Sequence, residues 1–167
     1  MTEWIYSRLK SMIFMKDLFP IRVGVNAVIT SDNRLLAVKF DDETGPHYNL
    51  PGGGIEADER IRAGLIREVY EETTADVEVG DLVFVHEYYP PAHDTRYGSV
   101  HKLTLFFECE LYGTGTPTLP ETPDLNQVGV EWLPLDAIEE QPLLPDLDET
   151  WRQVAKSAPA RQFLDDG

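Results

Sequence analysis

The stretch "LPGGGIEADERIRAGLIREVYEETTA", residues 50–75, sets three consecutive glycines directly before a segment with six acidic side chains. From about Arg60 to Thr73 the apolar residues Ile61, Leu65 and Val69 recur four apart, with Ile66 widening the stripe, which predicts an amphipathic helix. Asp58 is a candidate cap for its N-terminus. At about 100° per residue, Glu68 and Glu72 are neighbours on one face and Glu71 stands about 60° to the other side of Glu68. Three carboxylates at such spacing repel one another and call for a positive partner. Arg67 reaches Glu71 at i+4, but one guanidinium cannot neutralise three acids; its expected task is to hold one of them in orientation. Crowded oxygen ligands suit Mg²⁺ or Mn²⁺, which keep several waters and bridge to substrate phosphates. Gly52, Gly53 and Gly54 let the main chain approach such an ion or ligand closely. Glu59 either adds a fourth acid or caps the first turn.

Upstream, "VGVNAVI" places Val23, Val25, Ala27 and Ile29 on one face, and "SDNR" turns the chain into "LLAVKF", which predicts a hairpin. "DDETGPH" reads as a loop and "YNL" as a short strand entering the glycines. Downstream, "LVFVHEYY" and "LTLFFECEL" read as strands joined by the loop "PPAHDTRYGSVH". The Gly-, Thr- and Pro-rich "YGTGTPTLPETPDLNQ" reads as a surface loop and "VGVEWLPL" as a last strand, with helical turns in "DAIEEQ" and "LDETWRQVAKS". This order predicts an α+β fold, a mixed sheet between helices. Residues 1–19, with Ile5, Leu9, Met12 and Ile13 near helical spacing, are expected to form a helical segment. Residues 20–157 are expected to form a single domain and 158–167 a C-terminal tail.

A chain of 167 residues, 42% hydrophobic and 26% charged, is long enough to bury a core and needs one domain. Its 30 acidic and 14 basic residues give a formal charge of -16, a field that repels nucleic acid and attracts cations. A small phosphorylated ligand remains compatible with it, because a divalent cation or a few local Arg and Lys side chains invert the field inside a pocket. Cys109 is the single cysteine and falls on the side shared with Leu103, Leu105, Phe107 and Leu111, so it reads as buried packing. No run approaches the roughly 20 apolar residues of a membrane span, and "SMIFM" is too short for a signal-peptide core, so the expected address is the cytoplasm. His47, His86, His93 and His101 lack the tight spacing of a zinc site.

The acids and glycines resemble the signature box of the Nudix hydrolases (MutT-like), G-x5-E-x7-R-E-U-x-E-E-x-G-U with U a bulky aliphatic residue. Gly53, Glu59, Arg67, Glu68, Val69, Glu71 and Glu72 meet it, while Thr74 stands at the family's last glycine and Ala75 at its final aliphatic. "YNLPGGG" and "VEWLPLDAIEE" extend the likeness over most of residues 21–145. The resemblance implies an α/β/α sandwich and Mg²⁺-dependent hydrolysis, Mn²⁺ being an alternative, of a nucleoside diphosphate linked to a further group. It implies Glu68, Glu71, Glu72 and the Gly52 carbonyl as metal ligands and Arg67 as the residue orienting Glu71 or Glu68. Family members sometimes place the proton acceptor on a loop acid beyond the box, for which Glu121 and Asp124 are the candidates here. Many also pair as homodimers, which leaves a homodimer open for this chain.

Substrate contacts are expected from Arg22, Lys39, His47, Gly53, Glu59 and Arg96, with Tyr48 or Tyr88 stacking on a base. Pro90 and Pro91 lie where ADP-ribose-directed members often carry a proline, although two prolines at a strand end are also ordinary loop residues. Three readings stand: a pyrophosphatase for ADP-ribose-like substrates, a (deoxy)nucleoside triphosphate pyrophosphohydrolase, and a catalytically silent nucleotide-binding module.

Overall fold

The computed structural model describes residues 21–90, 99–147 and 150–151, together with the backbone of 162–165. In chain order the elements are β1 (Arg22–Val28), β2 (Thr30–Ser31), β3 (Arg34–Asp42), β4 (Gly45–Asn49), β5 (Gly52–Gly54), α1 (Ile61–Thr73), β6 (Asp76–Tyr88), β7 (Lys102–Tyr112), β8 (Gln127–Pro134), a 3₁₀ helix (Leu135–Glu140), β9 (Leu143–Leu144) and β10 (Gln162–Asp165). One sheet runs β10-β6-β7-β1-β5, with β1 parallel to β7 and antiparallel to β5; the other runs β2-β3-β4-β9, with β8 also pairing β3. The expected hairpin between the "VGVNAVI" and "LLAVKF" strands does not form. β7 and β5 occupy both edges of β1, leaving none for β3. The chain changes sheets at Ile29, whose carbonyl accepts the Leu36 N–H, and only β2 turns back onto β3, through Asp32 and Asn33 at φ 49° and 59°.

The first sheet carries core residues on both faces. Val25, Ala27, Phe107 and Cys109 pack with Leu65 and Val69 of α1. On the opposite face Phe84 and Phe106 stack at 4.2 Å and join Val28, Leu35, Leu50 and Leu133 between the two sheets. Cys109 is thus a core residue, and burial pushes its thiol up to about 12.

Two helix expectations change. Ile61 and Ile66 are 38% and 41% exposed, so the buried stripe is Gly64, Leu65, Val69, Glu72 and Thr73. Arg60, not Asp58, is the N-cap, and no side chain caps it. Asp58 sits at φ 64° in the preceding turn. At the other end Thr74 adopts the left-handed conformation at φ 57° and its N–H donates to the Tyr70 carbonyl at 2.8 Å, so the helix stops there without a glycine. The Thr118 N–H also reaches the Thr73 carbonyl at 2.9 Å, and the Thr74 and Thr118 hydroxyls share a hydrogen bond at 3.0 Å.

The helical segment expected over 1–19 and most of "LDETWRQVAKS" lie outside the described residues. The expected tail contains β10, which pairs parallel with β6 and uses an edge that would otherwise offer unpaired backbone groups. Among the described residues no helix is long and apolar enough to cross a membrane.

Candidate active site

Side chains are missing from β5 for steric reasons. A Cβ on Gly52, at φ 150°, would lie within 2.7 Å of backbone atoms of Val25 and Asn26. On Gly53 it would meet the Glu68 carboxylate at 2.5 Å. The first contact packs β5 against β1, and the second seats a box glutamate directly on the main chain.

Arg67 organises the acids. Its Nε and Nη2 donate to Glu59 Oε1 and Oε2 at 2.9 and 3.0 Å, a two-pronged pair, while Nη1 donates to Glu71 at 2.9 Å and lies 3.0 Å from Glu68 Oε1. Nη2 also reaches the Gly54 carbonyl at 3.3 Å, tying helix to glycine strand. Arg67 therefore contacts all three of Glu59, Glu68 and Glu71. Glu59 is held below the usual carboxylate range by Arg67 and then by its backbone bond, the Glu56 N–H donating to Oε2 at 3.1 Å.

Glu72 is different. It is 6% exposed, and the Gly52 N–H donates to its Oε2 at 2.8 Å. Burial pushes its carboxyl up to about 8, and the charges of Glu68, Asp124 and Glu71 add to the rise against that hydrogen bond. Glu68 is raised by burial as well, with Arg67 opposing. Among the described residues no three Asp, Glu, His or Cys side chains converge at metal-ligating spacing, Glu68 and Glu71 being drawn to Arg67. The donor set nonetheless fits a hard divalent cation: oxygen ligands only, two of them at raised pKa, on a helix face where a positive charge would offset their repulsion. The residues able to hold it are Glu68, Glu71, Glu72 and the Gly52 carbonyl.

Gln127 was not singled out from sequence. Buried at 5% exposure, it donates through Nε2 to the Glu72 carbonyl at 2.7 Å and accepts the Asp124 N–H at 3.2 Å. It joins the end of α1 to the loop carrying Asp124, whose charge is felt at both Glu68 and Glu72. Glu121, the other candidate loop acid, is exposed.

Beside Glu72 opens a cleft of about 390 Å³. Its floor is the alternate set of residues on the first sheet: Arg22, Gly24 and Asn26 on β1 stand in register with Lys102, Thr104 and Phe106 on β7, and β6 extends these rows with Tyr88 and His86. His47, Asn49, Leu144 and Pro145 form the far wall. Asn26 donates to the Leu50 carbonyl at 2.7 Å and so fixes the approach to the glycines.

Of the expected substrate contacts, Arg22, His47 and Gly53 line this cleft, as does Tyr88. Lys39 does not: it pairs with Glu131 at 3.1 Å and covers the Tyr48 ring, and the Tyr48 hydroxyl donates to Glu131 at 2.8 Å. Both belong to the β3–β4–β8 packing. Glu59 is held by Arg67, and Arg96 lies outside the described residues. Asn26, His86, Lys102 and Thr104 escaped the sequence reading, although polar or small residues at every second position of two apolar strands were a visible sign of a lined face.

A NUDIX domain profile matches residues 20–154. A MutT-like protein from Streptomyces ambofaciens is 35% identical over 114 residues, 68% of this chain and 64% of that protein. An ADP-ribose pyrophosphatase from Methanocaldococcus jannaschii is 26% identical over 144 residues, 82% of each chain. Among solved structures, a NUDIX hydrolase from Nitrosomonas europaea superposes with a TM-score of 0.69 at 22% identity, covering 85% of this chain and 93% of that one, and shows the same α+β fold. This chain spans only 64% of the Streptomyces relative's length. With its glycine strand, box acids and Arg67 assembled on one sheet edge, the chain belongs to the NUDIX domain family.

Proposed function

We propose that the chain is a Mg²⁺-dependent pyrophosphohydrolase for a nucleoside diphosphate linked to a further group, ADP-ribose-like in class, with Mn²⁺ as an alternative ion. The observation that carries this reading is Glu72, a buried carboxyl with raised pKa fixed by the Gly52 N–H and lining a cleft large enough for a nucleotide portion. A divalent cation there would supply Lewis-acid charge and a bound water of lowered pKa. The chain's own contribution is placement. Arg67 keeps Glu68 and Glu71 at the site while Glu59 saturates its other edge. The Gly52 N–H turns Glu72 toward the glycine strand, and Gln127 holds Asp124 within electrostatic reach of both box glutamates as the loop acid available to accept the water's proton. Hydrolysis forms one bond from water oxygen to phosphorus and breaks one P–O–P bond, so the products are two phosphate esters.

The 35% identity to a MutT-like protein favours a second reading, a (deoxy)nucleoside triphosphate substrate. A nucleotide panel with Mg²⁺ or Mn²⁺, products separated by charge, decides between them. AMP plus ribose 5-phosphate from ADP-ribose is the expected result; nucleoside monophosphate plus free pyrophosphate from a triphosphate would replace the first reading by the second. Binding without turnover by the wild type would favour a silent nucleotide-binding module.

A further inference from the structure

The far wall of the cleft sets two neutral polar side chains, His47 and Asn49, beside the apolar Leu144 and Pro145. Along β4, period-two alternation sends His47 and Asn49 to the cleft, while Tyr48 between them packs into the core and bonds Glu131. Asn49 is the register partner of Leu144 on the parallel strand β9, and Pro145 follows, so the amide stands against apolar surface. The Asn49 side chain makes no hydrogen bond among the described residues, and no buried side-chain nitrogen or oxygen there lacks a partner, so its amide is accessible from the cleft. Such an amide offers a donor and an acceptor side by side. His47 is held in place: its ring stacks on Phe40, its register partner, at 5.8 Å, and its Nδ1 lies 3.1 Å from the Gly45 carbonyl. A carbonyl only accepts, so Nδ1 carries the proton, and in the neutral ring Nε2 is left as an acceptor. Asn49 stands three residues before Gly52, at most roughly 11 Å along the chain, a span that a nucleoside covers between its base and its first phosphate.

We propose that Asn49 reads the base of an adenine nucleotide, with His47 completing the contact and Leu144 and Pro145 covering the ring. This deepens the proposed hydrolase reading, on which it rests for the nucleotide class, by assigning the residues that select the base. Adenine presents an amino group beside an unprotonated ring nitrogen. The amide matches that pair: its NH₂ donates to the ring nitrogen and its oxygen accepts one amino hydrogen. The second amino hydrogen is left for His47 Nε2. Guanine places a carbonyl oxygen where adenine has the amino group, and that oxygen would face the Nε2 lone pair, so guanine is the base the wall rejects.

The test titrates the non-hydrolysable α,β-methylene analogues of ADP and GDP by calorimetry with Mg²⁺, so that it reads binding whether or not the chain turns nucleotides over. The two ligands carry the same charge, and the ratio of their affinities isolates the base. Wild type is expected to prefer the adenine analogue at least tenfold. In Asn49→Asp the carboxylate only accepts: it faces the lone pair of the adenine ring nitrogen but pairs with two adjacent N–H groups of guanine, so the ratio should fall at least thirtyfold and invert. Asn49→Leu removes the edge contact without adding charge and should leave the two affinities within threefold of each other; Asn49→Ala gives the same reading should the leucine lower the melting temperature. His47→Phe keeps a ring on Phe40 and should weaken adenine binding at least threefold. On the best adenine substrate, Asn49→Leu should raise KM at least tenfold with kcat changed less than threefold, because the base is remote from the reacting phosphorus. A wild type that binds both analogues equally or prefers guanine, or a ratio that stays within twofold of wild type in the Asn49 variants, would overturn the assignment while leaving the hydrolase reading intact. Failure of both analogues to bind would overturn it as well. If no nucleotide is turned over but the adenine preference still depends on Asn49, the base contact stands and the hydrolase reading falls.

Discussion

The two sides of β5 carry opposite charge. Gly53 pairs with Val25, whose side chain faces α1, and on that side it touches the Glu68 carboxylate; Gly54 pairs with Gly24, on the cleft floor, and there it touches the Arg22 guanidinium. One strand without side chains lies between Glu68 and Arg22, while Glu72 reaches the cleft itself. Glu68 and Glu71 lie on one helix and share Arg67, whereas the cations come from strands 80 residues apart in sequence, Arg22 and Lys102. The glycines have separate tasks within this arrangement, since Gly52 meets backbone while Gly53 and Gly54 meet functional side chains.

Substitutions on the acid side should have the largest effects. Glu72→Gln is expected to lower kcat/KM on the best substrate by more than about 10²-fold, beyond the range for residues that only support a metal ligand, and Arg67→Ala by about 10–100-fold. Arg67→Lys should rescue little, because an ammonium cannot make the two-pronged pair with Glu59. Full activity in Glu72→Gln, measured by steady-state kinetics, would show that the acids are misassigned. The neighbouring glycines separate stability from activity. Gly52→Ala should destabilise the protein by about 2–3 kcal/mol in urea unfolding, because its Cβ meets backbone that cannot move aside. Gly53→Ala should stay within about 1 kcal/mol of wild type, since the Glu68 side chain can swing away, yet lose roughly tenfold in kcat/KM. Equal effects from the two would erase the distinction drawn along β5. The smallest effect is expected at the helix end. Thr74→Gly relieves a left-handed β-branched residue but gives up the hydroxyl bond to Thr118, so a net gain of at most about 1 kcal/mol is expected, with kcat unchanged. A loss of stability would mean that the Thr118 bridge outweighs the backbone strain.

What could be read in the chain follows the same division. Arg67, Glu68, Glu71 and Glu72 lie on one helix, so the arc of the three acids, the i+4 contact of Arg67 with Glu71 and a helix ending at Thr73 were all legible from spacing. The cleft was not, because its rows join residues from separate strands and period two does not say which strands share a sheet. The same ambiguity made β1 and β3 look like a hairpin. By residue type Lys39 is a candidate positive charge for a substrate phosphate, yet β8 supplies Glu131 to pair with it. Lys102 directly precedes the apolar run "LTLFFECEL", and only the β1–β7 register brings it beside Arg22. Ile66 fits the apolar stripe by spacing but lies on the solvent side, because Gly64 and Thr73 let the helix rest on another face.

The central claim is that Glu72 is kept buried and acidic for a divalent cation, and it can be tested without turnover. In metal-free buffer, a carboxyl raised from about 4.5 when unfolded to about 8 when folded binds its proton more tightly in the native state. That contribution is fully present below about 4.5 and is lost as pH rises toward 8, so metal-free stability should fall across this window by about 1–3 kcal/mol. Mg²⁺ at pH 8 should restore it by mass action. The decisive measurement is the melting temperature at pH 8 against Mg²⁺ concentration for wild type and Glu72→Gln. The account predicts a saturable rise in wild type that is absent or strongly weakened in the variant; no rise in wild type, or the same rise in both, would contradict it.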